Sequence, residues 1–401
     1  MSGADEGFPV LWDRLLRALD TVVRMISRRG VLLAAGLSVL PSRAWAATPA
    51  IVKPLPASDF VVHGTNAETR WEALRGTGSL TPVSKFFVRN HTSTPSVDAT
   101  AWRLRVSGSG VTRPLSLSLW DLKALPSVSL EAVIECAGNG RSFFTTQQGQ
   151  AVSGTPWKLG AVGNAVWRGV PLRLLLRLAG LRRSAVDVLP VGLDDEYVTG
   201  GVNLGRVRRP LPVAKALDDV LVAYEMNGAP LPPDHGFPAR LVVPGWVGIA
   251  SIKWLGSLEV STTELDSPWD TQYYRLVGPS YPAEGTLVTT QVTKSAFELP
   301  WDAVLPAGRH LLTGRSWGPG GVRRVSVSTD GRTWRRATVV SRGGWTRWQA
   351  PWVAVPGAHV LRVRADDQPD ETPYNTQGYL FGAVVRHPVT VAQVGVRSAE
   401  V

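Results

Sequence analysis

At 401 residues the chain is too long for one ordinary hydrophobic core and is expected to divide into two bodies. A hydrophobic share of 44% beside 19% charged residues excludes a disordered or fibrous protein, while 40 Gly and 30 Pro predict many turns and little long helix. The formal charge is +11, yet the arginines stand as scattered pairs (Arg182-Arg183, Arg208-Arg209, Arg323-Arg324, Arg335-Arg336) with no dense basic block, which argues against nucleic-acid binding.

The N-terminus reads as a targeting segment. Ser27-Arg28-Arg29-Gly30 precedes the apolar run Val31 to Leu40, and Ala44-Trp45-Ala46 offers a small-x-small cleavage site before Ala47. A run this short cannot span a bilayer. Paired arginines ahead of an apolar region fit a twin-arginine leader, which exports proteins already folded. Residues 1–46 are therefore expected to be an export leader, and the mature protein is expected in the periplasm or outside the cell after folding in the cytoplasm. Asp5, Glu6, Asp13 and Asp20 are out of place in a positively charged leader, so Met25 is the expected start.

Residues 47–82 are Pro-containing and weakly periodic, and read as an extended arm. A first body follows over 83–261. Ser84 to Asn90, Ala101 to Gly108 and Leu130 to Cys136 have strand composition. Pro171 to Leu181 has leucines at helical spacing with Gly180 as a stop. Two short apolar runs, Ala185 to Leu193 and Val220 to Met226, and the Gly/Pro-cornered stretch His235 to Ser261 complete a mixed α/β body. From 262 to 395 the texture changes to short alternating strands, with Asp330-Gly331 expected to turn a tight hairpin. Trp317, Trp334, Trp345, Trp348 and Trp352 are expected to fill the core of an immunoglobulin-like β-sandwich. The fold class is thus α+β: a mixed α/β domain, then an all-β sandwich.

Cys136 is the one cysteine of the chain. In an oxidising compartment an unpaired thiol needs a task or a hiding place. Ala137-Gly138-Asn139-Gly140 lets a bulky group approach the backbone, and Arg141 adds a permanent positive charge that favours the thiolate. Two readings follow, a nucleophile or a soft metal ligand. A nucleophile needs a base, and none of the six histidines carries a local triad signature. Zinc wants four His/Cys ligands, and no CxxC or HxxxH pairing exists. A cofactor that brings its own ligands would suit the thiol.

FFVRNH (Phe86 to His91), ECAGNGR (Glu135 to Arg141), TPWKLGAVGNAVWRGVPL (Thr155 to Leu172), AYEMNGAPLPPDHGFPARLVVPG (Ala223 to Gly245) and SIKWLG (Ser251 to Gly256) together resemble the sulfite oxidase family of molybdopterin-dependent oxidoreductases. The resemblance runs from about Val83 to the C-terminus. It implies a sulfite-oxidase-like molybdopterin-binding domain over 83–261 and an immunoglobulin-like dimerisation domain over 262–395, hence a homodimer. It implies molybdenum-molybdopterin as cofactor, with Cys136 as the protein's ligand to the metal. Phe87, Val88, Arg89, Asn90, His91, Asp194, His235, Arg240, Ser251, Ile252 and Lys253 would hold the pterin and its phosphate. Arg and Lys donors beside a Gly/Pro turn suit a phosphate. Arg89, Arg141 and Trp157 match the family's oxoanion pocket, and guanidinium forks suit that task.

Two departures stand out. The tyrosine that sulfite-oxidising members place near the metal is sought at Val207, where Arg206, Arg208 and Arg209 surround a valine. An arginine expected near the C-terminus is replaced in a segment that reads Tyr379-Leu380. There is also no CxxCH and no His-Pro-Gly-Gly stretch, so no haem is expected in this chain and electrons are expected to leave to a soluble c-type cytochrome or another acceptor. The resemblance implies oxidation of sulfite or a related small sulfur oxoanion by oxygen-atom transfer. The alternatives are a sulfane dehydrogenase, a reductase of a sulfoxide or nitrogen oxoanion, and, in a different class, a non-enzymatic exported binding module.

Overall fold

The strand that delivers the cysteine organises the first body. In the computed structural model, which describes residues 50–366 and 368–393, Val128–Glu135 runs antiparallel to Val162–Pro171, with Glu135 opposite Val162, and Val162–Pro171 pairs in turn with Leu221–Met226. Alternation along a strand sends every second side chain to one face. Ala132, Ile134 and Cys136 therefore share a buried cluster with Ala161, Ala165, Trp167, Ala223 and Val242. The alanines on this face leave room for the fully buried Trp157 and Trp167. The expected leader and the proposed start at Met25 lie outside the described residues.

The helix expected over Pro171 to Leu181 is observed as Leu172–Leu178, burying Leu172, Leu175 and Leu176, and the chain leaves it through Gly180 at φ +68°. The stretch Ser84 to Asn90 differs from expectation. It is a single 3-10 turn, Val83–Lys85, then a two-residue strand, Val88–Arg89, because only Asn66 and Ala67 are available to pair with it. A second sheet carries Leu255–Ser261 between Asp187–Gly192 and Arg103–Ser107, antiparallel to the first and parallel to the second.

The segment read as an extended arm is not one. Phe60–His63 and Asn66–Thr69 form a hairpin through Gly64 at φ +62°, and Val88–Arg89 extends it to a three-stranded sheet. Glu68 then accepts the backbone N–H groups of Lys158 and Gly160, so the hairpin is tied to the loop just before the strand Val162–Pro171.

The C-terminal sheets form a sandwich of four strands (Lys294–Phe297, Gly308–Trp317, Thr346–Ala354, Thr338–Ser341) and five (Ala303–Pro306, Arg386–Ala392, Gly357–Ala365, Val325–Ser328, Arg335–Arg336). Residues 262–293, expected with this body, run back across the first one: Val247 N–H donates to Thr289, and Gln291 N–H donates to the Gly245 carbonyl. Trp348 and Trp352 lie in the sandwich core as expected, but Trp317 and Trp345 do not. They pack with Trp71, Phe143, Phe144 and Phe381 where the sandwich meets the first body, Trp71 stacking on Trp317 at 5.5 Å. Trp334 is half-buried on the surface beneath the Arg364 guanidinium. The Asp330-Gly331 turn is wider than a two-residue hairpin: only Gly331 has positive φ, and the Asp330 carboxylate accepts the N–H groups of Arg332 and Thr333, an Asx-type closure.

Candidate active site

Cys136 lies one residue past the end of its strand, its N–H donated to the Ala161 carbonyl at 2.9 Å. The turn behind it is fixed through Asn139. Asn139 accepts the Ala161 N–H at 3.0 Å and donates to Glu135 Oε1 at 2.8 Å. Lys294 Nζ, from the first strand of the sandwich, donates to both Glu135 Oε1 and the Asn139 carbonyl at 2.7 Å. A Cβ at Gly138 would lie 2.6 Å from the Arg141 guanidinium and would displace it. Leu380, at φ +54°, donates its N–H to the Ala137 carbonyl and closes the far side.

Two cavities meet at this cysteine, sharing Arg89, His91, Cys136 and Tyr274 as common walls. The inner slot gathers Phe87, Asn90, Asp194, His235, Arg240, Ser251, Ile252 and Lys253 from four separate segments. Arg141 belongs to the outer cavity. Two expected residues line neither. Val88 is wholly buried on the other side of its short strand, and Trp157 is buried in the core beneath Cys136, edge-on to His63 at 5.4 Å.

The inner slot sets Arg89, Arg240 and Lys253 beside Asp194 and Asp234. Arg240 donates to the carbonyls of His235 (3.1 Å) and Ser251 (2.9 Å), and Lys253 to the Asp234 carbonyl (2.8 Å) and to Asn90 Oδ1. The Asp234 carboxylate is occupied by the backbone N–H groups of Val52 and Lys53 and by the Thr94 hydroxyl. Burial pushes Arg240 down to about 9, and burial together with the Arg240 charge holds Lys253 well below its ordinary value. Burial, aided by Lys53, Lys253 and Arg240, keeps His235 neutral, and burial raises Asp194 to about 6. His235 Nε2 and Asp194 Oδ1 are buried with no hydrogen-bond partner.

Those features fit a phosphorylated pterin. A phosphate would supply charge to Arg240 and Lys253 and an acceptor to His235, and ring N–H groups would supply donors to Asp194. Among the described residues no group of three His, Cys, Asp or Glu side chains could hold a metal, so a metal on Cys136 must arrive with ligands of its own.

His91 is fixed in one tautomer. Its Nε2 lies 3.0 Å from Trp269 Nε1, which can only donate, and 3.0 Å from Arg89 Nη2. The proton therefore sits on Nδ1, and burial, Arg89 and Lys253 hold the ring neutral. Arg89 itself is stabilised as a cation: burial opposes its charge, but Tyr274, Cys136 and Tyr379 outweigh it. Arg141 donates from Nε to the Gln377 carbonyl (3.1 Å) and from Nη1 to the Thr155 carbonyl (3.0 Å), and lies 5.1 Å over the Tyr379 ring.

No tyrosine stands at Val207. Val207 lines the inner slot as a buried valine, while Tyr274 lines both cavities and stacks on Tyr379 at 4.9 Å. Burial raises the hydroxyl pKa of both. Tyr274 lies in the segment that sequence texture assigned to the second body; the Tyr273-Tyr274 pair was its one local signal. None of Arg206, Arg208 and Arg209 lines either cavity. Arg209 is buried and ties down the Tyr274 segment by donating to the carbonyls of Trp269 and Val288 at 2.7 Å each.

Residues 91–269 match the family described as "Oxidoreductase molybdopterin binding domain". Mitochondrial sulfite oxidase of Mus musculus is 37% identical over 360 residues, covering 81% of this chain and 64% of that protein. This chain is similar over most of its length to the sulfite oxidase family of molybdopterin oxidoreductases. Sulfite oxidase of Gallus gallus is 38% identical over 296 residues, 67% of this chain and 62% of its own. The chain thus spans less than two thirds of the length of these relatives. Among solved structures, the sulfane dehydrogenase SoxCD from Paracoccus pantotrophus matches with a TM-score of 0.69 at 25% identity, over 92% of this chain and 96% of that one. The match to a molybdopterin-binding family agrees with a slot whose buried cations and orphaned polar atoms fit such a cofactor.

Proposed function

We propose that this chain oxidises sulfite or a related sulfur oxoanion by oxygen-atom transfer and passes the electrons to a separate acceptor of the c-type cytochrome class. The observation that carries the reading is the meeting of a cationic cofactor slot with an arginine-bearing outer cavity at Cys136. The bound cofactor supplies a metal able to exchange one oxygen atom and two electrons. The rest falls to the chain. Arg240, Lys253, His235 and Asp194 hold the phosphate and ring, and Cys136 holds the metal through a soft thiolate. Arg89 and Arg141 draw an anion into the outer cavity and orient it beside the thiol. The Tyr274 hydroxyl, kept protonated at neutral pH by burial, offers a hydrogen-bond donor at the junction.

Export through a twin-arginine leader and assembly as a homodimer belong to the same proposal, the first supported by Arg28-Arg29 ahead of an apolar run and the second by the family resemblance alone. Among the described residues no helix is long and apolar enough to cross a membrane. A sulfane substrate is the second reading, and the likeness to SoxCD is what favours it. The test is metal analysis and steady-state turnover of protein made in a molybdopterin-producing host. Molybdenum near one per chain with sulfite-dependent reduction of cytochrome c is expected. Protein without molybdenum would overturn the enzyme reading, and molybdenum-loaded protein inert to sulfite but active on a sulfane donor would replace the substrate.

A further inference from the structure

The outer cavity is roomier and more aromatic than a bare oxyanion requires. It offers about 370 Å³, within the range of pockets that enclose organic ligands, whereas a four-atom sulfur oxyanion occupies roughly the space of two waters, about 60 Å³. Its cations stand at the end nearest the thiol: Arg89 is shared with the inner slot, and the Arg141 guanidinium lies against Gly138. Tyr197, Trp269, Tyr273 and Tyr379 make an aromatic part of the remaining wall, and Ser153, Thr155 and Gln377 a polar part. Tyr197 and Tyr273 are the half-buried members, and their rings could gain burial against a carbon-bearing ligand.

The polar atoms point the same way. Arg89 uses Nη1 and Nη2 on Asn90 and His91, and Arg141 uses Nε and Nη1 on carbonyls, so each guanidinium keeps one uncommitted nitrogen, Nε of Arg89 and Nη2 of Arg141. Two such donors suit a head with two oxygens. Gln377 also lines this cavity, and its Oε1 is buried without a partner. An acceptor there disfavours a ligand made only of acceptors and favours one that brings an N–H or O–H group.

We infer that the outer cavity takes an organic sulfinate, R–SO2⁻, with its two oxygens on Arg89 and Arg141, its carbon body against the tyrosines and a donor group on Gln377 Oε1. The inference rests on the oxidase reading above and names its substrate class. The reaction is R–SO2⁻ + H2O → R–SO3⁻ + 2H⁺ + 2e⁻: a sulfur–oxygen bond forms with oxygen from water, sulfur is oxidised, and a c-type cytochrome accepts the electrons singly. A short alkyl group that carries an N–H donor suits the orphaned amide oxygen and the tyrosines together.

Three probes on the molybdenum-loaded enzyme test this: 2-aminoethanesulfinate, methanesulfinate and sulfite. The expected kcat/KM for the aminoethyl compound exceeds that for methanesulfinate by about tenfold, the worth of one good aromatic contact. Tyr273→Ala should remove about that tenfold advantage, read as the ratio of kcat/KM for the aminoethyl compound to that for methanesulfinate. By calorimetry, 2-aminoethanesulfonate should bind about tenfold more tightly than sulfate, and Gln377→Leu should lower that preference. Oxidation of sulfite without oxidation of either sulfinate overturns the inference and leaves the oxidase reading standing. Failure of all three substrates overturns the oxidase reading, and the calorimetric arm then decides the inference: equal affinity for sulfate and the sulfonate refutes it.

Discussion

The turn that carries Cys136 is held by one buried ion pair, and removing its cation should loosen both the fold and the metal site. Lys294 Nζ lies 2.7 Å from Glu135 Oε1, and the two side chains are 2% and 3% exposed. The same ammonium holds the Asn139 carbonyl, so one side chain of the sandwich fixes the two residues that flank the thiol on either side. Lys294→Met keeps the length and packing and removes the charge. It leaves the Glu135 carboxylate buried with a single donor, Asn139 Nδ2, and breaking a buried pair this way costs about 3–5 kcal/mol.

The unit Thr48–Val401 unfolds with an entropy near 2.1 cal/mol/K per residue, roughly 0.7 kcal/mol/K in all, so the loss lowers the melting temperature by about 5 °C if it unfolds as one. Differential scanning calorimetry measures that shift, and molybdenum content per chain measures the loosening of the turn. Glu135→Gln in the Lys294→Met background removes the stranded charge while its amide oxygen still accepts from Asn139. It should recover at least about 2 kcal/mol of the loss, as expected where the penalty is an unpaired charge. A double variant no more stable than Lys294→Met alone would refute the reasoning, as would a single-variant shift below about 1 °C.

Cys136→Ser should abolish molybdenum retention and turnover while moving the melting temperature of cofactor-free protein by no more than about 2 °C, since one small buried atom changes; metal analysis beside calorimetry checks both halves. Arg141→Lys keeps a positive charge but cannot serve the Gln377 and Thr155 carbonyls, the Tyr379 face and an anion together, so kcat/KM for the anionic substrate should fall about 10- to 100-fold with KM rising; unchanged kinetics would remove Arg141 from the substrate site. In the sandwich, burial lowers His387 from 6.5 to about 4, its ring against Trp301 at 4.5 Å and Nε2 bonded to the Pro300 carbonyl. The unfolded chain takes up that proton first as pH falls, so this contribution is intact above 6.5 and drains away between 6.5 and about 4, by about 3 kcal/mol. His387→Gln should flatten the fall in melting temperature over that interval, and an unaltered slope would refute the assignment.

What the sequence disclosed was local. The alternation Ala132, Ile134, Cys136 placed the thiol on an inward face, and DHGFPAR and SIKWLG carried the cationic slot because each supplies its side chains within a few residues of one turn. What it hid depends on chain return. Tyr274 reaches the junction only because Arg209 anchors a loop after the last strand of the first body, a bond between residues far apart in sequence. Trp157 sits beside site residues in sequence yet points to the core, and Trp317 and Trp345 fill an interface between sheets that no strand periodicity can report. The hairpin at 60–69 was obscured by its shortness, since four-residue strands gain most of their partners from elsewhere.

The acceptors of the buried cations divide them by task. Lys294 and Arg315, which join the sandwich to the first body, are each matched to a carboxylate, Glu135 and Glu298, and so present no net charge to anything else. Arg240 and Arg141 are held instead by neutral carbonyls, and Lys253 by a carbonyl and an amide oxygen. A carbonyl satisfies donors and fixes a guanidinium or ammonium in place without cancelling its charge. The positive field is therefore concentrated at the two cavities that meet at Cys136, where an anionic cofactor and an anionic substrate would both have to enter. Arg209 departs from the pattern: bonded to two carbonyls and under the field of Asp270, it lines neither cavity and serves to hold the Tyr274 segment in place. The +11 of the whole chain says little by itself. For Arg240, Arg141 and Lys253, carbonyl and amide acceptors in place of carboxylates go with a place on a cavity wall.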